Sequence, residues 1–274
     1  MEINCILKDI QVGLFTVGLE GPLDITISTF DLDLTMFITE FYDPNNTYDI
    51  WYWYIDYNYN KDNVPSNIHL HQLEKNHAKF WYLQGKHQSR FVITSANMTR
   101  VMVHGWLQSF ISITCEHDSV TLTPQQEDDL IQDYNRNMDK FFGTYNTKID
   151  IQLYSMLKDR LIYNIPQRVN GIERWLKMQD YILVDSNNIN MAYLPTVKKA
   201  VVIRKSVPAA NKIISYYNTD TVNSSTEVVS IPYTQDFHYK IYYTSKCTLI
   251  SSNNFSYNHK NNYELGILIT NRDK

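Results

Sequence analysis

Apolar and polar residues alternate in two separate stretches of the chain, and each stretch predicts two strands joined by a turn. In the first, the strands are Phe80-Trp81-Tyr82-Leu83 and Arg90-Phe91-Val92-Ile93, separated by turn residues around Gly85. In the second, Ile241-Tyr242-Tyr243 and Cys247-Thr248-Leu249-Ile250 flank a polar turn. The same hairpin is therefore expected once in each half of the chain.

Both hairpins are bounded by the same polar side chains. A His-x-Lys pair precedes each hairpin and a Ser-x-Asn pair follows it, and alternation puts the members of a pair on one face of a strand. In chain order these residues are His77, Lys79, Ser95, Asn97, His238, Lys240, Ser252 and Asn254. Asn253 competes with Asn254, and we choose Asn254 because Ser-x-Asn then matches the first copy. This duplication divides the chain into two halves, 1–143 and 144–274, which are expected to form one catalytic unit.

Other segments predict the framework around the hairpins. Thr123-Pro124 opens a helix with an N-cap, a first-turn proline and a capping-box glutamine, and Gly143 ends it. A second helix is expected from about Lys148 to Tyr163. Ala200-Val201-Val202-Ile203 is expected to begin the sheet of the second half. The aromatic run from Trp51 to Tyr57 predicts a strand, which serves either as core or as a platform on which unpaired bases stack.

Composition narrows the class of protein. The chain has 274 residues, 43% of them hydrophobic, which is ample for a buried core. Its net charge of −4 argues against a broadly basic, nucleic-acid-coating surface but not against a local basic cleft. No opening leader pattern and no long apolar run is visible. We therefore expect a soluble intracellular protein, in the nucleus or the cytoplasm, with a monomer favoured.

Neither the cysteines nor the clustered histidines predict a metal site. Cys5, Cys115 and Cys247 are widely spaced in apolar segments, which favours buried thiols. His69 and His71 lie close to His77, but no further pair of ligands completes a site. No metal and no cofactor is expected.

The duplicated residues supply donors for a phosphodiester. The transferring phosphoryl group spreads negative charge over its oxygens, and that charge needs fixed partners. Lys79 and Lys240 provide ammonium groups, while Asn97 and Asn254 provide amide donors, a set able to take the place of metal ions. One imidazole can attack phosphorus while the other protonates the leaving oxygen and then activates water.

The motifs resemble the phospholipase D superfamily, and within it the tyrosyl-DNA phosphodiesterases. Most phospholipase D members have an Asp soon after the Lys and a Gly before the Ser. Neither lysine here is followed by such an Asp, and Thr94 and Ser251 replace the Gly, as expected for the tyrosyl-DNA branch. Tyr263-Glu264-Leu265-Gly266 also resembles the C-terminal strand of that branch. Compared with the cellular enzymes of that branch, the chain looks trimmed.

This resemblance implies a fold, a set of roles and a substrate. The implied fold is α/β, a pseudo-twofold duplication with two mixed β-sheets flanked by helices and the active site at the interface between the halves. His77 would be the nucleophile and His238 the general acid and base, with Glu264 orienting His77 and Gln108 orienting His238. The implied activity is metal-independent hydrolysis of tyrosyl or other adducts at DNA 3′ ends, single-stranded DNA included, through a covalent phosphohistidine.

Two other functions remain open at the level of sequence. The same site would serve a nuclease or phospholipase of broader specificity, since specificity depends on grooves that the motifs do not describe. A catalytically silent nucleic-acid-binding module is the third hypothesis. The presence of both histidines and both lysines counts against it.

Overall fold

The structure is a computed structural model that describes most of the chain. The described residues are 6–7, 13–56, 63–106, 108–117, 121–179, 182–186, 200–204, 226–230, 238, 240–255 and 260–270. Cys5, Tyr57 and Tyr239 lie outside them. None of the helices in these ranges is long and apolar enough to cross a bilayer.

The first sheet contains seven strands within the described residues and combines parallel with antiparallel pairing. Its strands are β1 (Ile6–Leu7), β2 (Asp24–Leu32), β3 (Thr47–Ile55), β4 (Ile68–Gln72), β5 (Phe80–Gln84), β6 (Gln88–Thr94) and β7 (Gln108–Glu116), in the spatial order β1-β7-β6-β5-β2-β3-β4. β2, β3 and β4 are parallel, whereas β5, β6 and β7 are antiparallel. Its helices are α1 (Gly13–Thr16), α2 (Leu34–Glu40) and a π-helix (Val101–Gly105).

Helices connect the first sheet to the second. They are α3 (Pro124–Asn137), α4 (Asp139–Phe142), a 3₁₀ helix (Gly143–Tyr145) and α5 (Ile151–Leu157). The predicted cap of α3 is confirmed, because Thr123 and Gln126 form a reciprocal capping box. Gly143 caps the end of α4. The boundary between 143 and 144 stays a prediction.

The second sheet has eight strands within the described residues and is also mixed. Its elements are β8 (Leu161–Ile165), β9 (Val169–Asn170), α6 (Gly171–Met178), β10 (Ile182–Ser186), β11 (Ala200–Arg204), β12 (Thr226–Ser230), β13 (Lys240–Tyr243), β14 (Cys247–Ser251) and β15 (Glu264–Thr270), and the strand order is β12-β11-β10-β13-β14-β15-β8-β9. β11 pairs in parallel with both β10 and β12. β13, β14 and β15 each pair with their neighbours in antiparallel fashion.

Two predicted elements are wrong in the second half. The helix expected as far as Tyr163 ends with α5, and Leu161–Ile165 forms β8 because it pairs with β15 along Tyr163↔Leu265 and Leu161↔Ile267. This pairing buries Ile165 and partly buries Leu161 and Tyr163, apolar side chains that a helical pattern also fits, so tertiary contact overrides local preference. The second sheet consequently begins with β8, and Ala200–Arg204 is the later strand β11.

The two hairpins pack together in one core. Phe80, Ile93 and Ile111 from the first sheet belong to the same buried cluster as Ile250 and Ile267 from the second. The cluster also takes in buried side chains of α3, α4 and α5, among them Tyr134, Phe141, Phe142 and Leu153. The equivalent strand sets β5-β6-β7 and β13-β14-β15 therefore face each other, which brings the ends of both hairpins to one place. The α/β architecture of two mixed sheets flanked by helices is confirmed.

Candidate active site

His77 lies between the two sheets, held from both sides. It belongs to the short connection between β4 and β5, and its backbone N–H donates to the carbonyl of Tyr263 at 3.0 Å. Its Nδ1 lies 2.9 Å from Oε1 of Glu264 at the start of β15. These atoms are close but poorly aligned for a hydrogen bond, which is common where catalytic contacts tighten only with substrate. The first motif is thus oriented by a carboxylate from the second sheet.

Asn76, next to His77, anchors this segment, and the sequence analysis did not single it out. Its side chain is fully buried, and its Oδ1 accepts hydrogen bonds from Ser28 and Tyr145. Its Nδ2 donates to the carbonyls of Thr29 and Trp51. All four hydrogen-bonding capacities of the amide are therefore used. They fix the backbone of the His77 segment to β2, β3 and the 3₁₀ helix.

Glu264 has a lowered pKa although its side chain is almost completely buried. Burial by itself would raise the pKa of its carboxyl, but contacts with His77, Lys79 and Ser252 outweigh that effect and hold the pKa below its ordinary value. Its second oxygen, Oε2, accepts a hydrogen bond from Ser252 at 2.5 Å. A carboxylate fixed in this way favours the tautomer of His77 that carries its proton on Nδ1 and leaves Nε2 free to react.

His238 is oriented by the first sheet, in a reciprocal arrangement. Its Nδ1 lies 2.8 Å from the backbone carbonyl of Ser95, which can only accept a hydrogen bond. Nδ1 must therefore carry a proton, and Nε2 is the atom left for chemistry. Burial, then the charges of Lys240 and Lys79 and the nearby His77, lower the pKa of His238 well below its ordinary value.

Gln108 does not take the predicted place beside His238. Its Oε1 accepts a hydrogen bond from Ser95 Oγ at 2.8 Å, and its Nε2 donates to the carbonyl of Met102 at 2.9 Å. Gln108 nevertheless occupies the position equivalent to Glu264, because Ser252 Oγ donates to Glu264 just as Ser95 Oγ donates to Gln108. Where a hydrogen bond from Gln108 was expected, Nδ1 of His238 faces the Ser95 carbonyl, and Ser95 links Gln108 to His238.

The two motif lysines are fully buried and make the same local contact. Lys79 Nζ donates to the carbonyl of His77 at 2.9 Å, and Lys240 Nζ donates to the carbonyl of His238 at 2.6 Å. Lys240 Nζ also lies 3.1 Å from Nε2 of His238. Burial lowers the pKa of Lys79 to about 8, while Glu264 and Asp31 oppose that shift. Burial and Lys79 also lower the pKa of Lys240 well below its ordinary value.

The motif asparagines are distinguished by a missing partner. The Oδ1 atoms of Asn97 and Asn254 are buried, and neither has a hydrogen-bond partner among the described residues. Asn253, by contrast, is fully buried and held by Ser251, by the hydroxyl of Tyr242 and by the carbonyl of Asn254. The side chain of Asn253 is therefore occupied by structural hydrogen bonds. Asn254 matches Asn97 better, because Oδ1 of both is buried with no hydrogen-bond partner in the described part of the chain.

An aromatic group borders His77. The ring of Phe30 lies 5.1 Å from the imidazole of His77 and contacts Trp53 and Tyr54 at 5.4 Å and 5.2 Å between centroids. Trp53 and Tyr54 belong to β3, the predicted aromatic strand, and they stack on each other. The described part of the run is thus a strand as expected, and its use as a base platform stays a prediction.

His69 and His71 lie on β4, and both are partly exposed. Both contact Asp49 of β3, with His71 Nε2 at 2.8 Å and His69 Nδ1 at 3.4 Å from the same carboxylate oxygen. Within the described ranges, no three His, Cys, Asp or Glu side chains converge in a way that could hold a metal ion. Cys115 is buried and Cys247 partly buried, and both are free thiols.

Comparison with known proteins gives matches in structure but not in sequence. No protein-family model matches the chain, and no curated protein matches it. The crystal structure of yeast tyrosyl-DNA phosphodiesterase superposes with a TM-score of 0.61 and 13% identity, covering 92% of this chain and 83% of that one. A histidine mutant of the yeast enzyme gives a TM-score of 0.60 at 13% identity and covers 91% and 84%.

A second enzyme shares the fold over a shorter part of its length. A polyphosphate kinase from Porphyromonas gingivalis superposes with a TM-score of 0.54 and 10% identity, covering 96% of this chain and 47% of that one. Both enzymes are phospholipase D superfamily members. The resemblance inferred from the motifs is confirmed at the level of the fold: this chain has the phospholipase D-like fold in the form found in tyrosyl-DNA phosphodiesterase.

Proposed function

We propose that this protein is a metal-independent phosphodiesterase that removes tyrosyl or other adducts from DNA 3′ ends through a phosphohistidine on His77. The observation that carries the proposal is the reciprocal orientation of two histidines, of which His238 is buried and His77 partly buried. Glu264 of the second sheet faces Nδ1 of His77, and Ser95 of the first sheet faces Nδ1 of His238. This orientation leaves Nε2 of His77 for attack on a phosphate bound between the hairpins, and it leaves Nε2 of His238, 3.1 Å from Lys240 Nζ, for proton transfer.

In the first step, Nε2 of His77 attacks phosphorus while the bond from phosphorus to the leaving oxygen breaks. His238 supplies the proton that the leaving oxygen takes up. Glu264 stabilises the positive imidazole of phosphohistidine, because a buried carboxylate beside Nδ1 opposes the new charge. Lys79, Lys240 and the amides of the two motif asparagines neutralise the charge on the non-bridging oxygens.

In the second step, neutral His238 takes a proton from water, and the resulting hydroxide attacks phosphorus. The bond between phosphorus and Nε2 of His77 breaks, and His77 returns to its starting state. The product is a DNA 3′ phosphate, and His238 is again protonated for the next cycle. General acid and base catalysis of this kind typically contributes about 10²–10⁴-fold in rate.

DNA as substrate is supported by structural similarity to an enzyme named for tyrosyl-DNA. The overall charge of −4 is compatible with it, because a bound phosphate favours the protonated forms of Lys79 and Lys240, which gives the site a local positive charge. The fold alone does not separate this substrate from the phosphodiesters cut by a broader nuclease or phospholipase. The substrate must therefore be tested directly.

The test is a panel of substrates assayed with a metal chelator present. The panel contains an oligonucleotide with a 3′ phosphotyrosine, the unmodified oligonucleotide and a phospholipid, with His77→Ala as the inactive control. We expect release of tyrosine by the native protein and none by His77→Ala. Cleavage of only the unmodified strand or only the lipid would overturn the adduct assignment and favour the broader enzyme, while binding without cleavage would favour a silent binding module.

Phosphate binding is expected to take up protons and to weaken as pH rises. Burial lowers the pKa of both His238 and Lys79, in the second case to about 8. A bound phosphate favours the protonated forms, so the complex holds more protons than the free protein and loses affinity with increasing pH. The limiting loss is about tenfold per pH unit for each proton taken up.

Calorimetry with a 3′-phosphorylated oligonucleotide, in buffers of different ionisation enthalpy, measures this uptake directly. His87→Ala, in the exposed turn between β5 and β6, is the matched control and should take up the same number of protons as the native protein. Binding without proton exchange across the neutral and mildly alkaline range would contradict the proposed charge states.

A further inference from the structure

The segment that carries His77 is held against the strand that carries Glu264. The backbone N–H of His77 donates to the carbonyl of Tyr263 at 3.0 Å, and the N–H of Tyr263 donates to the carbonyl of Lys75 at 2.9 Å. Asn76 and Tyr263 thereby form a parallel bridge. Glu264, the residue after Tyr263, faces Nδ1 of His77 at 2.9 Å. The distance between the nucleophile and its carboxylate therefore depends on how this bridge is placed.

The backbone at Lys75 indicates that neighbouring groups impose the conformation of this segment. Lys75 has a φ of 63°, in the left-handed region that residues other than glycine seldom adopt. Such a conformation costs free energy and persists where the surrounding structure enforces it. The surroundings here are Tyr263 on one side and the buried amide of Asn76 on the other. A group that fixes Asn76 therefore also fixes the residue that follows it, His77.

Tyr145 contacts both members of the bridge. It belongs to the 3₁₀ helix that lies between the two sheets in the chain, and it is fully buried. Its hydroxyl donates to Oδ1 of Asn76 at 3.0 Å, and its ring packs edge-on against that of Tyr263 at 6.3 Å between centroids. Burial raises the pKa of Tyr145 well above its ordinary value, so the hydroxyl keeps its proton and remains a donor.

Ser28, the other donor to Asn76, does not take the place of Tyr145. Its hydroxyl has one proton, which is shared between Oδ1 of Asn76 at 3.1 Å and the carbonyl of Ala78 at 2.8 Å. The shorter of these two contacts is the one to Ala78. Tyr145 is therefore the donor on which the placement of Asn76 chiefly depends.

We propose that Tyr145 is a positioning residue for the nucleophile, acting through Asn76 to hold the imidazole of His77 against Glu264. The proposal rests on the function proposed above, since it assigns a part in the attack on phosphorus to a side chain that acts on His77 through another residue. The connection between the two sheets then does more than join them. Its buried tyrosine sets the geometry between a histidine of the first sheet and a carboxylate of the second.

The first test removes the hydroxyl and keeps the ring. With the 3′ phosphotyrosine oligonucleotide, Tyr145→Phe should lower kcat by about 10–100-fold, because small misplacements of a reacting group have effects of this size. KM should change little, since the groups that bind the phosphate are untouched. Tyr154→Phe is the matched control, because Tyr154 is buried in the same core and loses a hydroxyl contact of its own, to Asp133 at 2.6 Å. The control should lose comparable stability and keep the native kcat.

Nuclear magnetic resonance separates positioning from a general loss of stability. Spectra of protein with isotope-labelled histidine report which imidazole nitrogen carries the proton. The signals of His77, assigned by their absence from His77→Gln, should show a proton on Nδ1 in the native protein and in Tyr154→Phe. In Tyr145→Phe the proton should be shared between Nδ1 and Nε2, so the two nitrogen signals move toward each other. Native signals of His77 in a folded Tyr145→Phe variant would overturn the proposal.

A second variant decides the question if Tyr145→Phe does not fold. Ser28→Ala removes the other donor to Asn76 and should move the His77 signals in the same direction by a smaller amount, whereas unchanged signals would contradict the proposal. The spectra need no substrate, so they also separate this proposal from the proposed function. If the native protein cleaves no adduct but Tyr145→Phe alone moves the His77 signals, the proposed function fails and the positioning role stands. Equal shifts in Tyr145→Phe and Tyr154→Phe would reduce Tyr145 to a structural residue and overturn that role.

Discussion

His238→Ala is expected to become trapped as a covalent complex with DNA. The variant keeps the His77 nucleophile and its Glu264 partner, so attack on a 3′ phosphotyrosine can still occur, slowed by loss of the general acid. Hydrolysis of phosphohistidine then lacks the base that activates water, and turnover should fall by about 10²–10⁴-fold. The intermediate accumulates because the tyrosyl oxygen is an acidic phenol that can depart without a general acid, whereas water attacks the phosphohistidine slowly without a general base.

The trapped species can be measured on a denaturing gel with labelled DNA, and mass spectrometry of peptides should find the phosphoryl group on His77. His77→Ala and the double variant should form none. His87→Ala should turn over like the native protein, since that side chain lies on the exposed hairpin turn. A covalent adduct on His238 in the His77→Ala variant would reverse the two roles, and adduct formation on neither would exclude the phosphohistidine.

Lys240→Met should stabilise the protein and inactivate it. Lys240 is fully buried, and burial together with the charge of Lys79 lowers its pKa well below the ordinary value. Methionine has an apolar side chain of similar length and avoids the cost of burying the ammonium group of Lys240. The substitution is therefore expected to raise the free energy of unfolding by about 1–3 kcal/mol. Losing one donor to the transferring phosphoryl group should lower kcat by about 10²–10³-fold.

The sign of the pH dependence provides a further check on Lys240. At pH values between the lowered pKa of Lys240 in the folded protein and its ordinary value of 10.5, Lys240 is protonated in the unfolded chain but not in the folded one. The free energy of unfolding therefore rises with pH in this window. The gain from Lys240→Met should therefore shrink as pH increases through that window. Chemical denaturation at several pH values measures it, and Lys246→Met, in the exposed turn after β13, should change neither stability nor rate. A destabilised but active Lys240→Met variant would contradict the assigned role.

The sequence predicted the residues that the fold uses twice, and it did so because duplication is visible along the chain. His77, Lys79, His238 and Lys240 stand at equivalent positions beside hairpins, and period-two alternation is a local property of strands. The cap at Thr123 is also local, since both partners lie within one helical turn. Such features need no knowledge of distant contacts.

The features that the sequence did not predict depend on contacts between distant segments. Leu161–Ile165 is a strand only because β15 is available to pair with it. Asn76 is an anchor only because Ser28 and Tyr145 converge on its amide. The predicted partner of Gln108 was His238, whereas its Oε1 accepts a hydrogen bond from Ser95. Spacing along the chain cannot distinguish between these two partners.

In the proposed mechanism, the exchange of orienting groups between the sheets makes catalytic competence depend on the interface between them. Each sheet contributes one histidine and the group that aligns the other sheet's histidine, so neither sheet holds a working pair by itself. A substitution that loosens the contact between the sheets would leave both hairpins folded while disturbing both tautomers at once. Such a substitution should therefore lower enzymatic activity before it changes the circular dichroism spectrum or the melting temperature. Activity is then the more sensitive measure of the contact between the two sheets.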